Sequence, residues 1–167
     1  VLETPKKNNP IFKLSKQTII GSNSKSIEAI KKYCNNKNIV LKIWKKNVTG
    51  DVKIVSKNFA KYIVKNINEK KPYIIIAGGE TTVKLNGNGK GGRNQEFSIH
   101  FSLFAKEFFP DLNYIFLSAG TDGRDGPTDA AGGIVDNKLL GKFKKYKIDI
   151  DKEILNNNSY PVLKRTN

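Results

Sequence analysis

Three aspartates stand close together in the glycine-rich segment 118–133, which reads SAGTDGRDGPTDAAGG. Asp122 and Asp125 are three residues apart, and Asp129 follows four residues later. Carboxylates in such a loop can hold Mg²⁺ through one or two oxygens, with phosphate oxygens completing the shell. One of them could instead accept a proton from a hydroxyl. We assign this chemistry to Asp122 and Asp125, and we expect Asp129 mainly to cap a short helix that starts at Ala130.

A second glycine-rich segment, GNGKGGRNQE at 87–96, leads through Arg93 into a predicted helix. Its glycines spell G-x-G-x-x-G, but the acidic residue of a dinucleotide site is misplaced, because Asp111 precedes the next strand. Glycines let backbone N–H groups approach an anion, and the N–H groups of a helix start favour negative charge. The Arg93 guanidinium suits phosphate or carboxylate. The alternative is a flexible hairpin tip with a surface arginine.

Glu80 is a further candidate, because it follows Gly78 and Gly79 at the end of the apolar run 73–77. A carboxylate at the carboxyl end of a buried strand is placed to bind a hydroxyl or a metal-bound water. The alternative role for Glu80 is a surface salt bridge.

Strand-like and helix-like segments alternate around these loops, which predicts an α/β domain with a mostly parallel sheet flanked by helices. The predicted strands are 18–20, 38–46, 73–80, 81–85 and 113–120, and the predicted helices are 22–34, 52–67 and 94–109. Short helical pieces are expected over 135–158, and no complete element over 159–167. Ligands bind beyond the carboxyl ends of parallel strands. The two glycine-rich strand ends, 78–80 and 118–123, should therefore lie along one sheet edge.

The composition of the 167 residues limits the partners. Lys and Arg number 30 against 15 acidic residues, giving a net charge of +15, but all except three of the 30 are lysines spread along the chain. This pattern argues against nucleic acid as a partner. A single cysteine, Cys34, indicates a reducing cytoplasm, and a single histidine, His100, excludes a histidine-based metal cluster. No apolar stretch reaches the roughly 20 residues of a membrane span, so no membrane partner is expected.

Two long blocks, at 78–96 and 117–136, together resemble the glycerate kinase family of the MOFRL type. They read GGETTVKLNGNGKGGRNQE and LSAGTDGRDGPTDAAGGIVD. The likeness runs roughly from 19 to 161. We therefore predict an extended arm over 1–18 and a single α/β domain over 19–167, with 73–161 as its MOFRL-like core, similar to the C-terminal domain of a two-domain glycerate kinase.

The resemblance implies transfer of the γ-phosphoryl group of ATP to a hydroxyl of D-glycerate, giving 2-phosphoglycerate, with Mg²⁺ as cofactor. It also implies that the N-terminal catalytic half of the family is absent from this chain. The isolated chain is then expected to be inactive or to need a separately encoded partner half. The alternative is a non-catalytic domain that acts as a binding module for such a half.

We assign roles to individual residues on the hypothesis that all three segments end strands of one predicted sheet. Arg93 is expected to clamp a phosphate or the glycerate carboxylate. Asp122 or Asp125 is expected to interact with Mg²⁺ or the substrate hydroxyl, and Glu80 to support that site. The full set of expected substrate- or phosphate-binding residues is Gly78, Gly79, Glu80, Gly87, Gly89, Gly91, Gly92, Asn94 and Thr121.

Overall fold

The computed structural model of the chain describes residues 4–16, 18–66 and 72–166. Parts of the predicted arm over 1–18, the end of the predicted helix 52–67 and residue 167 lie outside the described residues. The α-helices are α1 (Asn23–Asn36), α2 (Val52–Asn66), α3 (Arg93–Phe108), α4 (Leu139–Lys145), α5 (Ile150–Leu155) and α6 (Ser159–Thr166). The strands are β1 (Val40–Val48), β2 (Tyr73–Gly79), β3 (Ile115–Ala119) and β4 (Gly132–Asp136).

The strands pair in two ways, and the connections explain the difference. β1 and β2 are parallel, with Val40 opposite Tyr73, because the chain crosses between them through α2. β3 and β4 are antiparallel, with Ile115 opposite Asp136, because the Asp/Gly-rich loop between them contains no helix. The α/β class with parallel strands and flanking helices is confirmed. Within the described residues, however, the two glycine-rich strand ends belong to two different two-stranded sheets.

Helix α3 lies at the centre of the packing and contacts α2, β3, β4 and α6. On one side it buries Phe97 and Phe101, and the ring of Phe101 stacks on Phe116 of β3 with centroids 4.0 Å apart. On the other side Ile99 packs into a second cluster with Leu163 of α6. Each fully buried side chain of this size contributes about 1.5–3 kcal/mol to folding. The aromatic stripe is therefore core, and α3 is held from both sides.

Several predicted elements differ from the structure. Residues 18–20 form no strand, since no described strand pairs with them, and 81–85 form only an isolated bridge between Thr82 and Asp51. Residues 135–136 belong to β4 rather than to a helical piece. The expectation of no element over 159–167 is wrong, because α6 forms and buries Val162 and Leu163. Pro161 is tolerated there because the N–H groups of a first helical turn need no partner.

Strand β3 is covered on one face only within the described residues. Phe116 faces the core, whereas Ile115 and Leu117 are 83% and 60% exposed. The neighbouring strand adds the exposed Ile134 to the same outer face. Among the described residues, no helix combines the length and the apolar character that crossing a bilayer requires.

Candidate functional site

Helix α3 is preceded by a glycine that has no side chain to cap it. Asp125, in the Asp/Gly-rich loop, supplies the cap instead. Gly92 occupies the N-cap position and makes no side-chain hydrogen bond. The backbone N–H of Asn94 donates to Asp125 Oδ1 at 3.1 Å, and that of Gln95 donates to Asp125 Oδ2 at 2.9 Å. A carboxylate at a helix N-terminus satisfies free N–H groups and interacts favourably with the helix dipole.

The Asp125 carboxylate is fully used by these and two further bonds. Asn94 Nδ2 donates to Oδ1 at 3.1 Å, and Gln95 Nε2 donates to Oδ2 at 3.0 Å. Four hydrogen bonds match the roughly four lone-pair sites of an ionised carboxylate. Asp125 is only 1% exposed. Its carboxylate therefore serves the start of α3, and this buried, saturated position leaves it no oxygen for a metal or a hydroxyl.

The capping role predicted for Asp129 is thus carried by Asp125 instead. Asp129 caps no helix, because residues 130–131 are not helical and β4 begins at Gly132. Asp129 is exposed and lies beside α6, where a hydrogen bond from the Tyr160 hydroxyl lowers the pKa of its carboxyl. The sequence signal for the true cap was the glycine before α3. Because glycine has no side chain, the first N–H groups of the helix needed a hydrogen-bond acceptor from another segment.

Gly92 is fixed by its close approach to Asp125. A Cβ at Gly92 would overlap the carboxylate carbon and the carbonyl carbon of Asp125. The backbone of Gly92 is extended, with φ −147°, so space rather than backbone conformation excludes other residues. The absence of a side chain at Gly92 is what lets the carboxylate reach the helix start.

We expect Gly92→Ala to lower the free energy of unfolding by about 2 kcal/mol or more, from overpacking and a displaced cap. Gly141→Ala is the matched control, because a Cβ there meets nothing within 4 Å inside α4. Alanine at that helical position should leave stability unchanged or raise it by about 0.5–1 kcal/mol. Urea unfolding of both variants measures the difference, and equal losses would contradict the steric argument.

The glycine-rich loop over 86–91 is occupied by three consecutive asparagines, Asn156–Asn158, which we call the asparagine triplet. Their side-chain oxygens accept hydrogen bonds from loop amides at 2.7–3.1 Å: Asn86 N and Gly87 N bond to Asn157, Asn88 N to Asn156, and Lys90 N to Asn158. The N–H of Gly89 donates to the backbone oxygen of Asn156 at 2.8 Å. These amides therefore already have partners within the chain.

The glycines of this loop admit the asparagine triplet rather than leaving an open cradle. A Cβ at Gly87 or Gly89 would overlap Asn156, and one at Gly91 would overlap the hydroxyl of Ser159. Sequence reasoning missed the triplet as the partner of the loop. The available signal was physical, since a loop backbone covered by other residues needs hydrogen-bond partners and asparagine supplies both donors and acceptors.

Arg93 and Glu80, predicted to serve one site, meet as an ion pair. Arg93 Nη2 lies 3.4 Å from Glu80 Oε2, with side chains 38% and 74% exposed. Glu80 is delivered by the end of β2, where its N–H donates to Val48 O at 2.8 Å. Only glycine fits at position 79, because its φ is +128° and a Cβ there would overlap the backbone of Val48. Such an exposed pair contributes only about 0–1 kcal/mol to stability.

The remaining predicted residues lie around the same helix start. Asn94 is half-buried and accepts a hydrogen bond from Ser118 Oγ at 2.8 Å, so it ties α3 to the end of β3. A Cβ at Gly120 would lie 2.6 Å from Asp122 Oδ1 and 3.7 Å from Asn94 Nδ2. The exposed Asp122 carboxylate therefore lies near the side chain of Asn94, in the first turn of α3, and Thr121 next to it is also exposed.

The arrangement fits Mg²⁺ only through a small number of protein oxygens. The described parts of the chain contain no group of three or more His, Cys, Asp or Glu residues that could hold a metal. Mg²⁺ commonly binds one or two carboxylates and takes its other ligands from water and phosphate. Asp122 is accessible for that role, whereas the oxygens of Asp125 are occupied.

Comparison with known proteins identifies the family. Residues 73–167 match the MOFRL family model. Glycerate 2-kinase of Pyrococcus horikoshii is 39% identical over 153 residues, which cover 88% of this chain and 34% of that protein. D-glycerate 2-kinase of Thermotoga maritima is 48% identical over 97 residues, 58% of this chain and 22% of the relative.

A solved structure agrees with these relatives. The crystal structure of glycerate kinase from Thermotoga maritima matches with a TM-score of 0.79 at 35% identity, covering 89% of this chain and 36% of that one. The chain spans about a third of the length of the Pyrococcus relative. The resemblance inferred from the two glycine-rich blocks is confirmed, and the chain belongs to the MOFRL family.

Proposed function

We propose that this chain forms the MOFRL portion of an ATP-dependent glycerate 2-kinase. In this reaction the 2-hydroxyl oxygen of D-glycerate bonds to the γ-phosphorus of ATP. The bond from that phosphorus to the β,γ-bridging oxygen breaks, and the hydroxyl proton is released. The observation that carries the proposal is the half-exposed Arg93 guanidinium, held at the start of a rigid helix and paired with Glu80.

Arg93 is suited to the charge that builds up on a transferring phosphoryl group. Such transfer depends mainly on positioning and on neutralising charge, and a planar guanidinium can bind two oxygens at once. The packing of α3 on both sides fixes the backbone of Arg93, and Glu80 orients its side chain without burying it. In our proposal Arg93 clamps a phosphate or the glycerate carboxylate.

Asp122 and Glu80 complete the proposed contribution of this chain. Mg²⁺, when bound, would neutralise charge on the ATP phosphates. We assign Asp122 to hold it, because this carboxylate is exposed near the side chain of Asn94. Asp125 is a positioning residue in this proposal, and the glycines of 87–92 shape the loop that carries Arg93.

The relatives support an enzymatic role over that of a non-catalytic binding module, since those compared above are named as kinases. They are also much longer than this chain, which spans 34% of the Pyrococcus protein. Phosphoryl transfer requires groups that surround the phosphate from several sides. We therefore propose that this chain acts together with the remaining portion of such a kinase.

A chimera tests the proposal directly. This chain would replace the matching region of the Pyrococcus horikoshii glycerate 2-kinase, and the product would be identified by phosphorus NMR. We expect ATP-dependent formation of 2-phosphoglycerate from D-glycerate, and no product from the relative with that region deleted. A folded chimera that forms no phosphoglycerate, beside an active parent enzyme, would overturn the proposed function.

A further inference from the structure

A buried carboxylate in the first turn of α3 has no part in the proposed phosphoryl transfer. Glu96 is 6% exposed, and its Oε2 accepts a hydrogen bond from Asn157 Nδ2 at 3.2 Å. Its other oxygen lies 3.7 Å from Nε2 of the buried His100. Burying a carboxylate is unfavourable unless partners compensate it. The position of Glu96 therefore raises the question of what this carboxylate holds.

Asn157 is the residue that Glu96 holds, and all of its amide groups are used. Its Oδ1 accepts from the backbone N–H groups of Asn86 and Gly87 at 2.7 and 3.1 Å. Its Nδ2 donates to Lys84 O at 3.0 Å and to Glu96. Because Glu96 accepts only from the nitrogen side, it fixes which way the amide faces. Asn157 is buried and has φ +54°, a conformation that asparagine tolerates.

We propose that Asn157 and Glu96 are positioning residues that clamp the loop between Glu80 and Arg93 onto the first turn of α3. Asn157 forms hydrogen bonds to this loop at 84–87, between Glu80 and Arg93, the two residues of the ion pair. The clamp ends on Glu96, three residues from Arg93 along the same helix. Neither residue touches a reactant in this proposal, and both act through the placement of Arg93. This inference uses the proposed function only for its activity measurement.

Exchanging the donor amide of Asn157 and the acceptor carboxylate of Glu96 tests the clamp. Asn157→Asp replaces the donor with a carboxylate oxygen facing Glu96, and like charges at this distance repel in a buried site. The double variant Asn157→Asp/Glu96→Gln restores the hydrogen bond between residues 157 and 96 with donor and acceptor exchanged, whereas the bond to Lys84 O stays lost in both variants. Asn58→Asp, on the exposed face of α2, makes the same chemical change as a control. A merely space-filling role would not produce rescue by the second substitution.

Amide hydrogen exchange of the chain itself is the first measurement. In the wild-type chain the N–H groups of Asn86 and Gly87 should exchange at least about tenfold more slowly than unprotected amides, because each is hydrogen-bonded. Asn157→Asp should remove this protection, the double variant should restore a measurable part of it, and Asn58→Asp should leave it unchanged. Unprotected wild-type amides, or a double variant no better than Asn157→Asp, would overturn the clamp.

Asn157→Gly covers the case in which Asn157→Asp does not fold. Glycine adopts φ +54° freely, and it removes the amide without adding charge. Protection of Asn86 and Gly87 should again be lost, while the amides in the middle of α3 keep theirs. Retained loop protection in this variant would contradict the proposal.

Kinetics of the chimera separate positioning from mere loop stability. Asn157→Asp should lower kcat about tenfold or more, with smaller changes in KM for ATP and D-glycerate, and the double variant should recover part of that loss. Unchanged kcat in a variant that has lost loop protection would overturn the positioning role. An inactive wild-type chimera would refute the proposed function instead, and the exchange measurements would still decide the clamp.

Discussion

Arg93→Ala is expected to lower the turnover of the chimeric kinase by about 10²- to 10³-fold, the usual cost of losing one group that stabilises transition-state charge. Stability should hardly change, because the ion pair with Glu80 is exposed and is worth about 0–1 kcal/mol. The combination of a large kinetic effect and a small effect on unfolding is what distinguishes a residue that acts on substrate from one that supports the fold.

Two further substitutions sharpen this prediction. Arg93→Lys keeps the charge but loses the planar fork, so it should recover only part of the activity if two oxygens are bound at once. Arg165→Ala is the matched control, because Arg165 is an exposed arginine on α6 that contacts the ring of Tyr146. Initial rates at saturating ATP and D-glycerate, with urea unfolding of each variant, measure both effects. Near wild-type turnover of Arg93→Ala would contradict the assignment.

Asp125→Ala is expected to lower the free energy of unfolding by about 3 kcal/mol or more, since it removes a helix cap and leaves buried donors without an acceptor. Four donors of Asn94 and Gln95 lose their acceptor oxygens in this variant. A domain has only about 5–15 kcal/mol of stability, so a large part would be lost. The unfolding free energy of Asp125→Asn should lie between those of the wild type and Asp125→Ala, because one acceptor oxygen remains.

Asp122→Ala provides the matched comparison within the same loop. Asp122 is exposed, so its removal should change stability by no more than about 0.5 kcal/mol while lowering turnover of the chimera. Urea unfolding measures the stability of both variants, provided that the unfolding free energy falls with urea concentration at the same slope in each. Equal stability losses for Asp122→Ala and Asp125→Ala would show that the buried hydrogen bonds of Asp125 do not stabilise the start of α3.

The parts of the fold that sequence predicted are those with a strong local pattern. The amphipathic α2 and α3 and the apolar strand β2 follow from apolar residues at helical spacing or in a short continuous run. Glu80 and Arg93 were assigned to one site from the sequence, and they meet as an ion pair. The reason for that assignment was wrong, because residues 81–85 before Arg93 form no strand. The helices and β2 thus depend on neighbours in the sequence, whereas the ion pair depends on tertiary packing.

The parts that sequence could not predict depend on contacts between distant segments. Nothing local distinguishes Asp125 from Asp129, yet one reaches the start of α3 and the other lies beside Tyr160. The asparagine triplet likewise looks like ordinary loop sequence until its oxygens meet the amides of Asn86 and Gly87. Local propensity carries no information about such pairings, which tertiary packing alone selects.

The side-chain hydrogen bonds of the asparagine triplet to residues 84–90 join residues 68 to 73 positions apart. Closing so long a span costs chain entropy before any bond forms, whereas α2 and α3 can grow from local contacts. We expect this difference to set the order of assembly. The aromatic core around Phe101 is expected to condense first, and the loop before Arg93 to acquire its shape only when 156–158 have docked. A folding intermediate with a complete core would thus still lack an ordered Arg93 loop.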